Sequence, residues 1–411
     1  MSKKLYLHIG IWKTGTTTIQ DTLFLNQDIL LKHDICYPSI SSNHTFLASA
    51  FHQTPDNFIV SKSIGLCKEE LQKWHQKSLL KFEQELSKAS KSIVSSEFLL
   101  ELDSHAIERL KVYLEKFFDE IKVIVYIRHP IDHISSAINE QIKQGHYSLD
   151  KAYEIHSKGK EYTKVLRWLN IFGKDNMIAR PFEKEQFRNQ DLVDDFLSLV
   201  SPEETLKVKK IANQNVTLSY PAIEIANQLL KFAPSFSPNR ANSDYLFNIK
   251  GIKYKVPKNV CQTLLDNSQE AFRQVQDVLD ITFVKDYTPA EDITKDDIYS
   301  DDTIFSIAKE FNRISLENQN LKKEMDYLKA KLYLAQGDKD LANKHFQKAI
   351  LLDRFDVYKD YAYFLCYNGT SKDDLTKALF YTKKALSIKP DKKWLNKLQN
   401  LIVDKIEQAV E

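Results

Sequence analysis

Residues 5–20 (LYLHIGIWKTGTTTIQ) join an apolar run to a Lys-Thr-Gly-Thr-Thr turn and then to an amphipathic pattern. The residue types in that turn suit an anion. Lys13 brings a full positive charge, Thr14, Thr16, Thr17 and Thr18 bring hydroxyl donors, and Gly10 and Gly15 let the backbone bend close to a guest. A helix opening here leaves its first N–H groups without intrahelical partners, and its dipole favours negative charge at that end. The chemistry is binding of a phosphate-like group, with a threonine-rich helix cap after an edge strand as the purely structural alternative.

A second group of residues stands at 121–142. Residues 121–127 (IKVIVYI) are mostly β-branched or aromatic and read as a buried parallel strand ending at Arg128-His129-Pro130. Ile131, Ile134, Ile138 and Ile142 mark a helix after it. Arg128 therefore stands at a strand's C-terminal end, where open α/β sheets bind ligands, and its planar fork suits phosphate. An arginine in such a place also serves as a surface ion-pair partner. Ser136 lies about two helical turns further on.

The elements that must position these residues alternate in type. Strands are predicted at 4–9, 92–96, 121–127 and 176–179. Helices are predicted at 16–32, 68–89, 104–118, 130–144, 162–172, 189–200, 221–231 and 259–278. This alternation is the pattern of an α/β fold with a doubly wound parallel sheet. Residues 286–302 (DYTPAEDITKDDIYSDD) are acidic and contain Pro289, which reads as a linker. Residues 304–334 form a long charged helical pattern with apolar Ile307, Phe311, Ile314, Leu321 and Leu328, short and irregular for a coiled coil. Beyond it, Ala330, Tyr333, Gly337, Ala342, Phe346 and Ala349 recur as Ala362, Leu365, Gly369, Ala378, Tyr381 and Ala385, closed by Pro390. The domains expected are 1–285, an acidic linker 286–303, and a helical domain 304–411 with residues 392–409 as a capping helix.

Composition narrows the function classes. With 58 Lys and Arg against 56 Asp and Glu, the net charge of +2 argues against general nucleic-acid binding. Cys36, Cys67, Cys261 and Cys366 form no C-x-x-C pair and read as thiols of a reducing compartment. The sequence begins without a signal-peptide core and holds no apolar run of about eighteen residues, so a cytoplasmic protein without a transmembrane segment is expected. No H-E-x-x-H or clustered metal-ligand pattern occurs, so no metal is expected.

The order of residues in the first motif separates two phosphate-binding loops. A Walker A loop places its lysine after the second glycine, whereas Lys13 precedes Gly15. The strand, K-T-G-T-T turn and helix instead resemble the phosphosulfate-binding loop of sulfotransferases that use 3′-phosphoadenosine 5′-phosphosulfate (PAPS). The match of motifs and their order covers about residues 1–285. It implies a P-loop-like α/β fold in which Lys13, Thr14, Gly15, Thr16, Thr17 and Thr18 bind the nucleotide, and Arg128 and Ser136 hold its 3′-phosphate. It also implies that Lys13 neutralises the leaving phosphate oxygen.

The acceptor of such a reaction must lose a proton, and two residues are candidates for the base. His44, in a loop after the first helix, has an ordinary pKa suited to neutral pH, and some carbohydrate sulfotransferases place a base in that region. Glu97 follows the strand at 92–96 at the same sheet edge as Lys13 and Arg128. It suits either the base or a contact to a sugar hydroxyl, and a helix N-terminal glutamate is its structural alternative. The resemblance points to a hydroxyl of a carbohydrate or glycolipid as acceptor. His52, Arg180, Lys209, Lys210, Asn215 and the basic, aromatic stretch 237–254 are weaker candidates, and His8 reads as a hydrogen-bonded core residue. The C-terminal repeats resemble tetratricopeptide repeats, which implies a protein partner or self-association. A P-loop phosphotransferase and a nucleotide-binding scaffold without turnover remain the competing expectations.

Overall fold

Strand β1 (Lys4–His8) is apolar on both faces because it is central in a five-stranded parallel sheet. It pairs with β3 (Lys91–Ser95) on one side and β4 (Glu120–Ile127) on the other. The short β2 (Ile35–Cys36) adds to β3 and β5 (Met177–Pro181) adds to β4, giving the order β2-β3-β1-β4-β5. The computed structural model describes residues 2–144, 147–203, 206–211, 217–232, 244–289 and 298–408. Alternate side chains of the central strands feed two cores. Leu5, Leu7, Val123 and Val125 join Trp168 and Phe46, while Tyr6, Ile93, Ile124 and Tyr126 join Phe196.

This strand order fixes where a ligand can sit. The chain leaves β1 toward the β2 edge and leaves β4 toward the β5 edge, so the connections diverge and a crevice opens between the C-terminal ends of β1 and β4. Helix α1 (Thr16–Leu25) follows β1 and helix α2 (Pro130–Gln144) follows β4.

Several boundaries differ from the sequence reading. The helix expected over 16–32 breaks at Asn26, whose side-chain amide bonds Thr22 O at 2.7 Å and Lys209 O at 2.9 Å. Residues Thr45–Phe51 form a helix that the sequence did not signal, since it is short and opens at His44 in a left-handed conformation (φ 40°). The two-residue β2 lies below the length at which a strand pattern can be recognised.

The chain divides into two units, Met1–Ile304 and Phe305–Glu411. Of the acidic segment, residues 290–297 lie outside the described residues. Helix α3 (Asp301–Ala335) leads into four further helices, Lys339–Ala349, Phe355–Asn368, Lys372–Ile388 and Lys393–Gln408. The repeated alanines, Ala330, Ala342, Ala349, Ala362, Ala378 and Ala385, are fully buried, which lets the helices approach around Phe346, Tyr361 and Leu365. Gly337 takes φ 83° at the first turn, and Asp338 caps the next helix through Leu341 N–H. Among the described residues no helix is long and apolar enough to cross a membrane.

Candidate anion-binding site

The loop between β1 and α1 is bent by two left-handed residues, Lys13 (φ 68°) and Gly15 (φ 72°). A side chain at Gly15 would also lie 2.3 Å from Leu192 Cδ2, and one at Gly10 would lie 2.0 Å from Thr16 Cγ2. Gly15 is held to glycine by its left-handed backbone, and at Gly10 a side chain would force Thr16 to move. Helix α1 has no side-chain cap and no acidic residue in its first turn, so its N-terminal N–H groups and dipole are left for another negative group. Thr17 is exposed and Thr18 half-buried there, whereas Thr16 is buried with its methyl against Gly10. Thr14, read from the sequence as a donor to the guest, is wholly buried and donates its hydroxyl to Ile11 O at 2.6 Å. Its side chain holds the turn.

Arg128 reaches this loop across the crevice. Its Nη1 donates to Lys13 O at 2.6 Å, its guanidinium lies 5.4 Å from the centre of the Phe182 ring, and its buried Nε has no partner. Burial pulls its pKa below the ordinary value, opposed by the charge of Asp132. No carboxylate among the described residues pairs with it, an unusual state for a half-buried guanidinium.

Lys13 Nζ donates to Glu140 Oε2 at 3.1 Å. Burial alone would raise the Glu140 pKa, but Lys13 and a bond from Gln144 outweigh it and hold the carboxyl below its ordinary value. Ser136 lies one turn before Glu140 on the same face of α2 and is half-buried. The structure thus brings Lys13, Arg128 and the α2 face of Ser136 and Glu140 to one crevice. Glu140 was missed in the sequence.

Glu97 borders the loop from the β3 side. Gln20 Nε2, on α1, donates to Glu97 Oε2 at 2.8 Å and to Ser95 Oγ at 3.2 Å, and Ser95 Oγ bonds His8 Nδ1 at 2.8 Å. The neighbouring Phe98 packs edge-to-face on Trp12 of the loop, 5.3 Å between centres, and Trp12 remains 39% exposed. A carboxylate and an exposed indole therefore flank the lysine loop.

His44 does not reach the crevice as a base. It is fully buried, its Nε2 bonds Pro38 O at 2.9 Å, and its Nδ1 accepts Ser95 N–H at 3.1 Å. Both ring nitrogens are spent on backbone, and the ring locks the chain at Pro38 to the end of β3. His52 accepts Thr54 N–H at 3.1 Å and stacks on Phe58. Arg180 pairs with the fully buried Asp195 at 2.7 Å and bonds Gln186 O at 3.1 Å. Lys210 pairs with Asp191 and Asp194 at 2.9 and 2.6 Å, while the Lys209 backbone is held by Asn26. The side chains of Arg180 and Lys210 are committed to ion pairs within the fold. Asn215 and residues 237–243 of the basic stretch lie outside the described residues. Among the described residues no group of three or more His, Cys, Asp or Glu is gathered as a metal set.

Buried histidines around the sheet give the fold an acid limit. Burial pushes His8 and His133 down to about 3, and pushes His44 down to about 4 against the bonds from Pro38 and Ser95. Each is neutral when folded and titrates at its ordinary 6.5 when unfolded, so the unfolded state binds more protons between those values. Stability is full above pH 6.5 and falls as pH drops toward 4, by on the order of 2 kcal/mol per histidine at pH 4.5. Urea unfolding from pH 7.5 to 5 checks this, and a midpoint independent of pH would contradict it.

No family model matches the chain, and neither a curated protein nor a solved structure matches it. What the protein does must therefore be carried by the chemistry of the crevice and by the motifs themselves.

Proposed function

We propose that the first unit is a PAPS-dependent sulfotransferase with a P-loop-like phosphosulfate loop, acting on a hydroxyl of a carbohydrate or glycolipid. The observation that carries this reading is Arg128, a half-buried guanidinium without a carboxylate partner, bonded to the carbonyl of Lys13 at the sheet's switch point. Such a cation is completed by an anionic ligand. The lysine before Gly15 favours the phosphosulfate loop over Walker A.

PAPS supplies an activated sulfuryl group. Arg128 and Ser136 hold its 3′-phosphate, and the open N-terminus of α1 with Thr17 and Thr18 faces the 5′ side. The acceptor oxygen attacks sulfur, a new S–O bond forms, and the bond from sulfur to the 5′-phosphate oxygen breaks. Lys13 exchanges Glu140 for that oxygen and neutralises its developing charge. Glu97 takes the acceptor's proton, since both His44 nitrogens are occupied. Trp12, exposed beside Glu97 and Phe98, offers an apolar face suited to a sugar ring. The second unit is read as tetratricopeptide-like repeats, and the protein as cytoplasmic.

Calorimetric titration with 3′-phosphoadenosine 5′-phosphate, beside ATP with magnesium, tests the proposal. Micromolar binding of the bisphosphate, about −8 kcal/mol, with weaker ATP binding is expected. Preference for ATP would favour a phosphotransferase, and absence of nucleotide binding would remove the reading.

A further inference from the structure

Helix α3 carries a seven-residue apolar repeat that its own unit leaves uncovered. Phe311, Asn318, Met325 and Leu332 are spaced by seven, as are Ile314, Leu321, Leu328 and Ala335, three residues after each of them. With Asn318, Met325, Leu332 and Ala335 counted beside the apolar positions that alone read as short and irregular, these are the a and d positions of a heptad seam over three and a half heptads, about 37 Å of helix. Phe311, Leu321, Met325, Leu328 and Leu332 are exposed, from 54% at Leu332 to 76% at Phe311, and Ile314 is half-buried. The opposite face is the one committed to the repeats: Tyr327 and Ala330 are buried, Asp326 bonds His345 at 2.7 Å, and Tyr327 bonds Asp360. The exposed seam is therefore not the helix's packing face left over by accident.

We infer that α3 is the dimerisation element of this protein, pairing in parallel and in register with α3 of a second copy. The flanking charges select that occupant. Glu317 and Glu324 occupy g positions, and Lys322 and Lys329 occupy the e positions five residues later. In a parallel pair each g residue meets the partner helix's e residue five positions on, so glutamate meets lysine twice on each side of the seam. In an antiparallel pair g meets g and e meets e, setting glutamate against glutamate and lysine against lysine. Glu317 already pairs with Arg313 and Glu324 with Arg354, so these carboxylates would be shared with the facing lysines. Asn318, alone polar among the a residues, gives the register. Two such amides bond across a two-stranded seam only when the helices are parallel and aligned. This dimer is independent of the activity proposed above.

Sedimentation velocity of the full chain tests the inference, with circular dichroism to follow folding. A species of twice the chain's mass is expected, and a chain that stays monomeric at tens of micromolar overturns the proposal. Leu321→Asp with Leu328→Asp, both at exposed positions, is expected to give a folded monomer, and a dimer that survives it overturns this seam. Lys322→Glu is expected to weaken the dimer about tenfold by facing Glu317, and Glu317→Lys in the same chain to restore it. Failure of that restoration counts against the parallel register. Asn318→Cys in a Cys67→Ser background is expected to form an interchain disulfide on mild oxidation, since the other three thiols are buried. A dimer in which this cysteine stays reduced is not aligned as proposed.

Discussion

Replacement of Arg128 by alanine is expected to weaken binding of 3′-phosphoadenosine 5′-phosphate by at least about a hundredfold, since a charge-assisted hydrogen bond is worth about 1.5–3 kcal/mol and the guanidinium offers two. The loss has a second source. Arg128 Nη1 donates to Lys13 O, so its removal also frees the lysine loop that the nucleotide must meet. Stability should move little, because the same change relieves a half-buried cation whose pKa is already depressed by burial. Arg128→Lys is expected to rescue only part of the affinity, since an ammonium keeps charge but lacks the planar fork. Titration calorimetry with thermal melts of each variant separates the two effects. Bisphosphate affinity unchanged within about threefold in the alanine variant would remove Arg128 from the ligand site.

The sheet was legible because its central strands are buried on both faces and carry short, largely apolar cores, Leu5–Leu7, Ile93–Val94 and Val123–Ile127. The five strands at 4–8, 91–95, 120–127 and 177–181, with the two-residue pair at 35–36, differ in how much sequence they occupy, and only the last was too short to read. The crevice was legible as far as chain-local signals reach: a lysine loop before one helix and an arginine after one strand. Contacts set by the strand order were not. Glu140 meets Lys13 from 127 positions away, and nothing in either neighbourhood announces the pair. His44 was misread for a related reason. Its partners are backbone atoms at Pro38 and Ser95, which carry no residue-type signature, and the helix that opens at His44 has a seven-residue pattern too brief to stand out. Residue type suggested a titrating base, and burial made it a strut.

Glu97→Gln is therefore the substitution that divides chemistry from binding. The amide keeps the volume and can still accept the Gln20 bond at Oε, so the wall of the crevice and the β3 end should keep their places. With no carboxylate to take the acceptor's proton, kcat for sulfuryl transfer is expected to fall by about 10²–10⁴, while bisphosphate affinity stays within about twofold. His44→Gln should behave in the opposite way. It leaves buried Pro38 O and Ser95 N–H poorly matched, so the melting temperature drops by the equivalent of about 2 kcal/mol, while kcat per folded molecule is retained. Transfer assays with the labelled donor, run beside melts, read both. A Glu97→Gln enzyme with normal kcat and a raised acceptor KM would make the carboxylate a sugar-binding group and would send the search for the base to a residue outside the loop wall. Loss of kcat in a well-folded His44→Gln protein would instead show that His44 acts through Ser95 on the chain of Gln20 and Glu97.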